Sequence, residues 1–185
     1  LRLPGILREP GERAEPDDQD REGLLLAATA ALDALLEDRL REGRHLVQET
    51  LARLAGMSGL VDELGGHADR VPREALVKLT ARIEKLASGM VIDDARLAQE
   101  AALMADRSDV TEELVRLGSH LGQAMSLLSD PDGEPVGKRL DFLMQEIHRE
   151  TNTINSKSSD IEISTRALAL KTEGDKVREQ IQNLE

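Results

Sequence analysis

Between Arg21 and Asp69 the chain holds no proline, and apolar side chains recur there at three- and four-residue intervals: Leu25, Ala28, Leu32, Leu36, Leu40, then Val47, Leu51, Leu54, Met57, Val61 and Leu64. This is the period of a helix that buries one narrow stripe, as a coiled-coil seam does. A helix over the whole stretch would span roughly 70 Å at the usual rise per residue. Such an arm needs a partner helix to cover its seam. Gly43, Gly56, Gly59, Gly65 and Gly66 each cost about 1 kcal/mol relative to alanine, which predicts a bend near Gly43 or an early stop near Gly65.

What fills the core points the same way. Phe142 is the only aromatic residue in the chain, whereas pleated sheets draw on aromatic and β-branched side chains to cover their faces. Leu, Ala, Ile, Val and Met suffice for packed helices. The expected fold class is therefore all-α, with a long helical arm followed by a compact C-terminal helical bundle.

Three segments follow from the punctuation. Residues 1–20 carry Pro4, Pro10 and Pro16 with the acidic cluster Asp17, Asp18 and Asp20, which reads as a linker from a preceding domain. Residues 21–92 form the arm, including a second helix that opens at Pro72, carries Leu76, Leu79, Ile83 and Leu86, runs back along the first and closes at Gly89. Residues 93–185 form the bundle. Asp93 or Asp94 caps a third helix with Leu97, Ala101 and Met104 inward. Asp109 and Glu112 match a capping box for a fourth helix over 109–129. Asp130-Pro-Asp-Gly133 is a turn by composition. A fifth helix over 137–151 buries Leu140, Leu143, Met144 and Ile147, and the polar run from Asn152 to Ser158 interrupts it. Ser159 with Glu162 caps the last helix.

The net charge of −12, from 36 acidic and 24 basic residues, argues against non-specific nucleic-acid binding, which relies on neutralised phosphates. It leaves room for a nuclease whose metal-holding carboxylates are themselves acidic. Residues 137–185 carry eight basic and nine acidic side chains, against three and eight over 93–130. Without cysteine there is no disulfide framework, thiolate metal site or cysteine nucleophile. No apolar run has transmembrane length and no signal peptide opens the chain, so the expectation is a cytoplasmic protein with no membrane partner.

Chemistry-bearing residues concentrate in the last third. On the fifth helix Asp141, Gln145, His148 and Asn152 form one polar stripe, while Glu146 and Glu150 form a carboxylate pair one turn apart. That pair can share a divalent cation, or belong to a solvated face with ion pairs to Arg139. His120 has the imidazole for general acid–base work, though a lone helical histidine is commonly structural. Glu100, Asp106, Glu112 and Glu113 are further carboxylates of metal-ligand type, Glu112 having a capping role that already explains it. The run from Asn152 to Ser159, with Lys157, could meet a phosphate or be a plain helix break. His45 and His67 have no accompanying carboxylates and receive no role. There is no phosphate-binding glycine loop, nucleophile elbow or aromatic stacking platform.

The strings Gly137-Lys-Arg-Leu-Asp-Phe-Leu-Met-Gln-Glu146, Arg149-Glu-Thr-Asn-Thr-Ile154, Ser156-Lys157 and Lys176-Val-Arg-Glu-Gln-Ile-Gln-Asn-Leu-Glu185 closely resemble the YicC-like family. So do Arg96-Leu-Ala-Gln-Glu100, Asp106, Glu112-Glu-Leu-Val-Arg-Leu117 and Ser119-His-Leu121. The resemblance covers residues 93–185, with Arg2-Leu-Pro-Gly5 similar to the exit from the family's N-terminal domain. It implies a divalent-metal-dependent endoribonuclease that assembles as a hexameric ring around RNA, with a strand-containing N-terminal domain ahead of these helices. This chain departs from the pattern at His148, where the family usually has Asn, at Asn155 for Gly, and at Gly118 for a basic residue.

The resulting assignment has manganese or magnesium held by Glu146, Glu150, Glu100 and Asp106 or their supporting groups. His120 and Glu113 move protons. Arg116, Arg139, Arg149 and Lys157 hold phosphates, and Gln145 and Asn152 orient ligands or read a base. The alternative is a non-catalytic helical scaffold or adaptor that oligomerises or recruits an RNA-degrading enzyme.

Overall fold

A computed structural model describes residues 17–68, 70–86, 94–130 and 135–182. These form six helices: α1 (Asp18–Ala68), α2 (Val71–Leu86), α3 (Asp94–Ser108), α4 (Thr111–Ser129), α5 (Val136–Lys157) and α6 (Ile161–Ile181). No strand occurs among the described residues, and none of these helices is long and apolar enough to cross a membrane. Residues 1–16 of the linker expected over 1–20, the stop at Gly89, a cap at Asp93 and the turn residues 131–133 lie outside the described residues, whereas Asp18 and Asp20, read as linker, form the first turn of α1.

The described residues fall into two compact units, divided between Arg44 and His45. The first holds α1 up to that point. There Leu25, Leu32, Leu36 and Leu40 are exposed, at 70%, 60%, 58% and 64%, so this part of the seam has no cover within its own unit. The helix continues through Gly43 and Gly65 to Ala68, and neither glycine stops it.

The second unit is built around α5, which packs against α4 on one side and α6 on the other. Leu140, Met144 and Ile147 of α5, Leu117 and Leu121 of α4, and Ile163, Leu170 and Val177 of α6 are almost wholly buried. Each such side chain contributes about 1.5–3 kcal/mol by leaving water. The later part of α1 joins the same core through Leu54, Met57, Val61 and Leu64. Arg53 of α1 donates to Glu173 of α6 at 3.1 Å, and Arg166 of α6 donates to Glu63 of α1 at 3.1 Å. Among the described residues the helix that α2 pairs with is α3, not α1. Leu97 and Ala101 of α3 are half-buried, while Met104 is 45% exposed.

Three helix limits differ from the sequence expectation. The break at Asn152 is absent, and α5 continues to Lys157. The reason is Ile154, fully buried, which adds another turn to the stripe of Ile147 and Thr151. Burying it outweighs the weak helix propensity of Asn and Thr there. Asp160, rather than Ser159, caps α6, accepting from the N–H groups of Glu162 at 2.9 Å and Ile163 at 3.2 Å. At the start of α4 the N-cap is Val110, with no side-chain cap. Asp109 instead accepts from the Thr111 N–H at 2.9 Å, and Glu112 is turned to Arg116.

Candidate metal and phosphate site

The polar residues that the sequence scatters over α4 and α5 meet along the seam between those helices. The partners run in opposite order: Glu113 meets Lys157, Arg116 meets Glu150, and His120 meets Glu146 and Glu150. The two helices are thus antiparallel, and spacings of three and four residues on each set their side chains opposite one another.

At one end, a ring nitrogen of His120 and carboxylate oxygens of Glu146 and Glu150 all lie within 4.8 Å of one another. It is the one such ligand group among the described residues. His120 and Glu146 are half-buried, while Glu150 is only 4% exposed. Two carboxylates one helical turn apart repel by a few tenths of a kcal/mol, roughly, even in water, and burying one raises the cost. Direct compensation for Glu150 comes from Arg116, at 3.4 Å, a long contact. The Nδ1 of His120 is buried with no hydrogen-bond partner among the described residues. An imidazole beside two converging carboxylates is a donor set that a divalent cation takes. These residues fit a metal.

Cations border the cluster. Arg116 spans Glu150 and Glu112, and both acids raise its pKa, the hydrogen bond to Glu150 foremost. Arg149 pairs with Glu146 at 3.7 Å and is 70% exposed. Further along the seam, Lys157 donates to the Glu113 carboxylate at 2.8 Å and to the Asp109 carbonyl at 2.9 Å. The hydrogen bond to Glu113 raises the lysine's pKa. Glu113 is 7% exposed, and its second oxygen is buried without a partner among the described residues. It stands two turns from His120, roughly 10 Å along the helix, so its immediate task is to hold Lys157.

The remaining predicted residues lie apart from the cluster. Glu100 and Asp106 are exposed on α3. Asp106 lines a cavity with Gly65, Ala68 and Thr111. Arg139 lines a separate cleft with Gln123, Lys138 and Phe142. Gln145 donates to Asp141 at 2.7 Å, and with Asn152 it borders a groove between α5 and α6. Two features had no clear signal in the sequence. His120 brings a ring nitrogen to the carboxylate pair, which no spacing between residues 26 apart reveals. His148 is wedged into the α5–α6 seam, 3.3 Å from Asp175, and burial lowers its pKa.

The described residues thus form an all-helical protein with one imidazole–dicarboxylate cluster, edged by guanidinium and ammonium groups. The chain belongs to the family described as "Endoribonuclease YicC-like, C-terminal", whose profile matches residues 65–185. It is similar to the "Probable endoribonuclease YicC" of Clostridioides difficile (strain 630), at 41% identity over 175 residues, covering 94% of this chain and 59% of that protein. It is also similar to the "Probable endoribonuclease YicC" of Haemophilus influenzae (strain ATCC 51907 / DSM 11121 / KW20 / Rd), at 36% identity over 189 residues, covering 100% of this chain and 64% of that protein. The chain thus spans about three-fifths of the length of these curated relatives.

Proposed function

We propose that the protein is a divalent-metal-assisted endoribonuclease with its reactive centre in the α4–α5 seam. The observation that carries this reading is the cluster of His120, Glu146 and Glu150, whose ligand atoms lie within 4.8 Å of one another beside Arg116 and Arg149. The names of the two relatives supply the reaction class and RNA as substrate.

His120, Glu146 and Glu150 would hold the cation, and an imidazole in the set favours manganese over magnesium, which prefers an all-oxygen shell. When bound, a divalent cation supplies positive charge against phosphoryl oxygens and acidifies water. Around it the chain's own groups position the strand. Arg116, braced by Glu112 and Glu150, keeps a guanidinium beside the reacting phosphate, where it stabilises developing negative charge. Arg149 meets the neighbouring phosphate. Lys157, anchored by Glu113, extends the cationic edge along the seam. His120 is better suited to ligation than to the free proton transfer expected of it, because its ring nitrogen already converges on two carboxylates.

The exposed leucine row Leu25, Leu32, Leu36 and Leu40 supports assembly of the protein as a homo-oligomer, with a hexameric ring as the state to test. Cleavage of end-labelled single-stranded RNA with manganese, magnesium or EDTA tests the reaction. Metal-dependent cutting lost in His120→Ala and in Glu146→Ala/Glu150→Ala is expected. A parallel measurement needs no activity: manganese at 100 times its Kd should stabilise the wild-type chain by about 2.7 kcal/mol, and not the variants. Cutting that continues undiminished in the folded double variant would overturn the reading in favour of a scaffold that carries another nuclease.

A further inference from the structure

A second polar surface lies on the other side of α5, in the groove with α6. It is a shallow, open groove of about 600 Å³. One wall is a single stripe of α5, with Gln145, Arg149 and Asn152 three and four residues apart, and the other is Arg178 of α6. His148 forms the floor, its side chain 15% exposed. The ring lies close over Gly174, where a Cβ would come within 3.0 Å of its Nε2. The floor is thus fixed, and the donors stand on the rims.

Those donors are partly committed in a way that leaves a defined remainder. Arg178 gives its Nε to Asp141 at 3.0 Å, which orients the guanidinium at the edge of the groove that it lines. Gln145 gives its amide nitrogen to the same carboxylate at 2.7 Å, so its carbonyl oxygen is left to accept. Asn152 is exposed and offers both a donor and an acceptor. Two guanidiniums on opposite rims suit two anionic groups of one chain, and amides between them match the donor–acceptor edges of an unpaired base. Arg149 also stands 3.7 Å from Glu146 of the imidazole–dicarboxylate cluster, so one side chain links the groove with that cluster.

We propose that this groove is a nucleotide subsite for single-stranded RNA, adjoining the cleavage centre. Arg149 and Arg178 hold successive phosphates, and Asn152 with Gln145 reads the base between them. The proposal rests on the endoribonuclease reading for its substrate class.

The test is binding rather than turnover: fluorescence anisotropy of a labelled single-stranded oligoribonucleotide on the whole chain, in EDTA, over a range of salt. Each phosphate contact removed should lower the slope of log K against log salt by about 0.7. Arg149→Ala/Arg178→Ala should therefore lose about 1.4 from that slope. Asp141→Asn, which removes the carboxylate bracing Arg178 but keeps both guanidiniums, should retain most of the slope and so separates a contact from a merely structural role. Asn152→Ala should keep the slope and narrow the spread of affinities among oligo-A, oligo-C and oligo-U. A folded double variant with the wild-type slope would overturn the proposal, as would a wild-type chain that does not bind at about 50 mM salt, where phosphate contacts are strong. The two readings fail separately. Binding through the groove without metal-dependent cutting removes the nuclease and keeps the subsite. Cutting that depends on Glu146 while Arg178→Ala and Asn152→Ala bind normally removes the subsite and keeps the nuclease.

Discussion

Substituting alanine for Gly174 sets two effects of opposite sign against each other, and their balance tests how tightly His148 is held. A glycine inside a helix costs about 0.8–1.0 kcal/mol relative to alanine, and Gly174 sits within α6, so propensity alone makes Gly174→Ala stabilising. Packing opposes it. The new Cβ would lie 3.0 Å from His148 Nε2, 3.3 Å from its Cδ2 and 3.4 Å from the Met144 methyl. Met144 can move its terminal methyl, but the imidazole must give by a few tenths of an ångström, against its seat between α5 and α6 and its contact with Asp175. Overpacking of that kind costs about 1–3 kcal/mol, so the expected net effect is destabilisation by about 1 kcal/mol. In a His148→Ala background the obstruction is gone, and Gly174→Ala should stabilise by about 1 kcal/mol. The coupling between the two sites is then about 2 kcal/mol, within the range for residues in direct contact. Urea denaturation of the four proteins measures it, with unchanged m values as the check that only stability has moved. Full stabilisation by Gly174→Ala in the wild-type background, or additive effects of the two substitutions, would refute the close contact and with it the fixed floor of the α5–α6 groove.

Three further outcomes follow from other contacts. Lys157→Met strands the buried Glu113 carboxylate and should destabilise the chain by about 1–3 kcal/mol; adding Glu113→Leu should recover most of this in thermal denaturation, and no recovery would mean that the lysine's stem, not its charge, matters. Hydrogen bonds hold the pKa values of Glu173 (chiefly from Lys176, then Arg53) and Glu49 (chiefly from Arg53) below the ordinary 4.5. A folded-state pKa below the unfolded one means stability that is present above that value and lost as pH falls through the depressed one. The urea midpoint should therefore drop on acidification below about pH 4.5, and less steeply in Arg53→Leu. Finally, Leu32→Ser/Leu36→Ser should weaken self-association in sedimentation without lowering the melting temperature of the second unit; a chain already monomeric at micromolar concentration would contradict the role given to the exposed row.

The sequence by itself determined the helical class, because a single aromatic residue and a stripe from Leu25 to Leu64 suit packed helices and not pleated faces. It also located most of the helices, since periodicity and the punctuation by proline and glycine are local properties. The Glu146–Glu150 pair was legible for the same reason: one turn of helix fixes their neighbourhood. Where long-range burial competes with local preference, local reading fell short. Ile154 carries α5 through a polar run that looked like a break, and α2 lies against α3 instead of the arm. What only the tertiary structure decided is the meeting of α4 with α5 and of α5 with α6. His120 approaches the two glutamates because α4 lies antiparallel to α5 along a shared apolar core. Glu112, which looked like a capping residue, braces Arg116. His148 is fixed by a glycine on α6 that no local pattern distinguishes. A helix's sequence states which side chains share a face, but the partner for that face is chosen by packing, summed over side chains far apart in the chain.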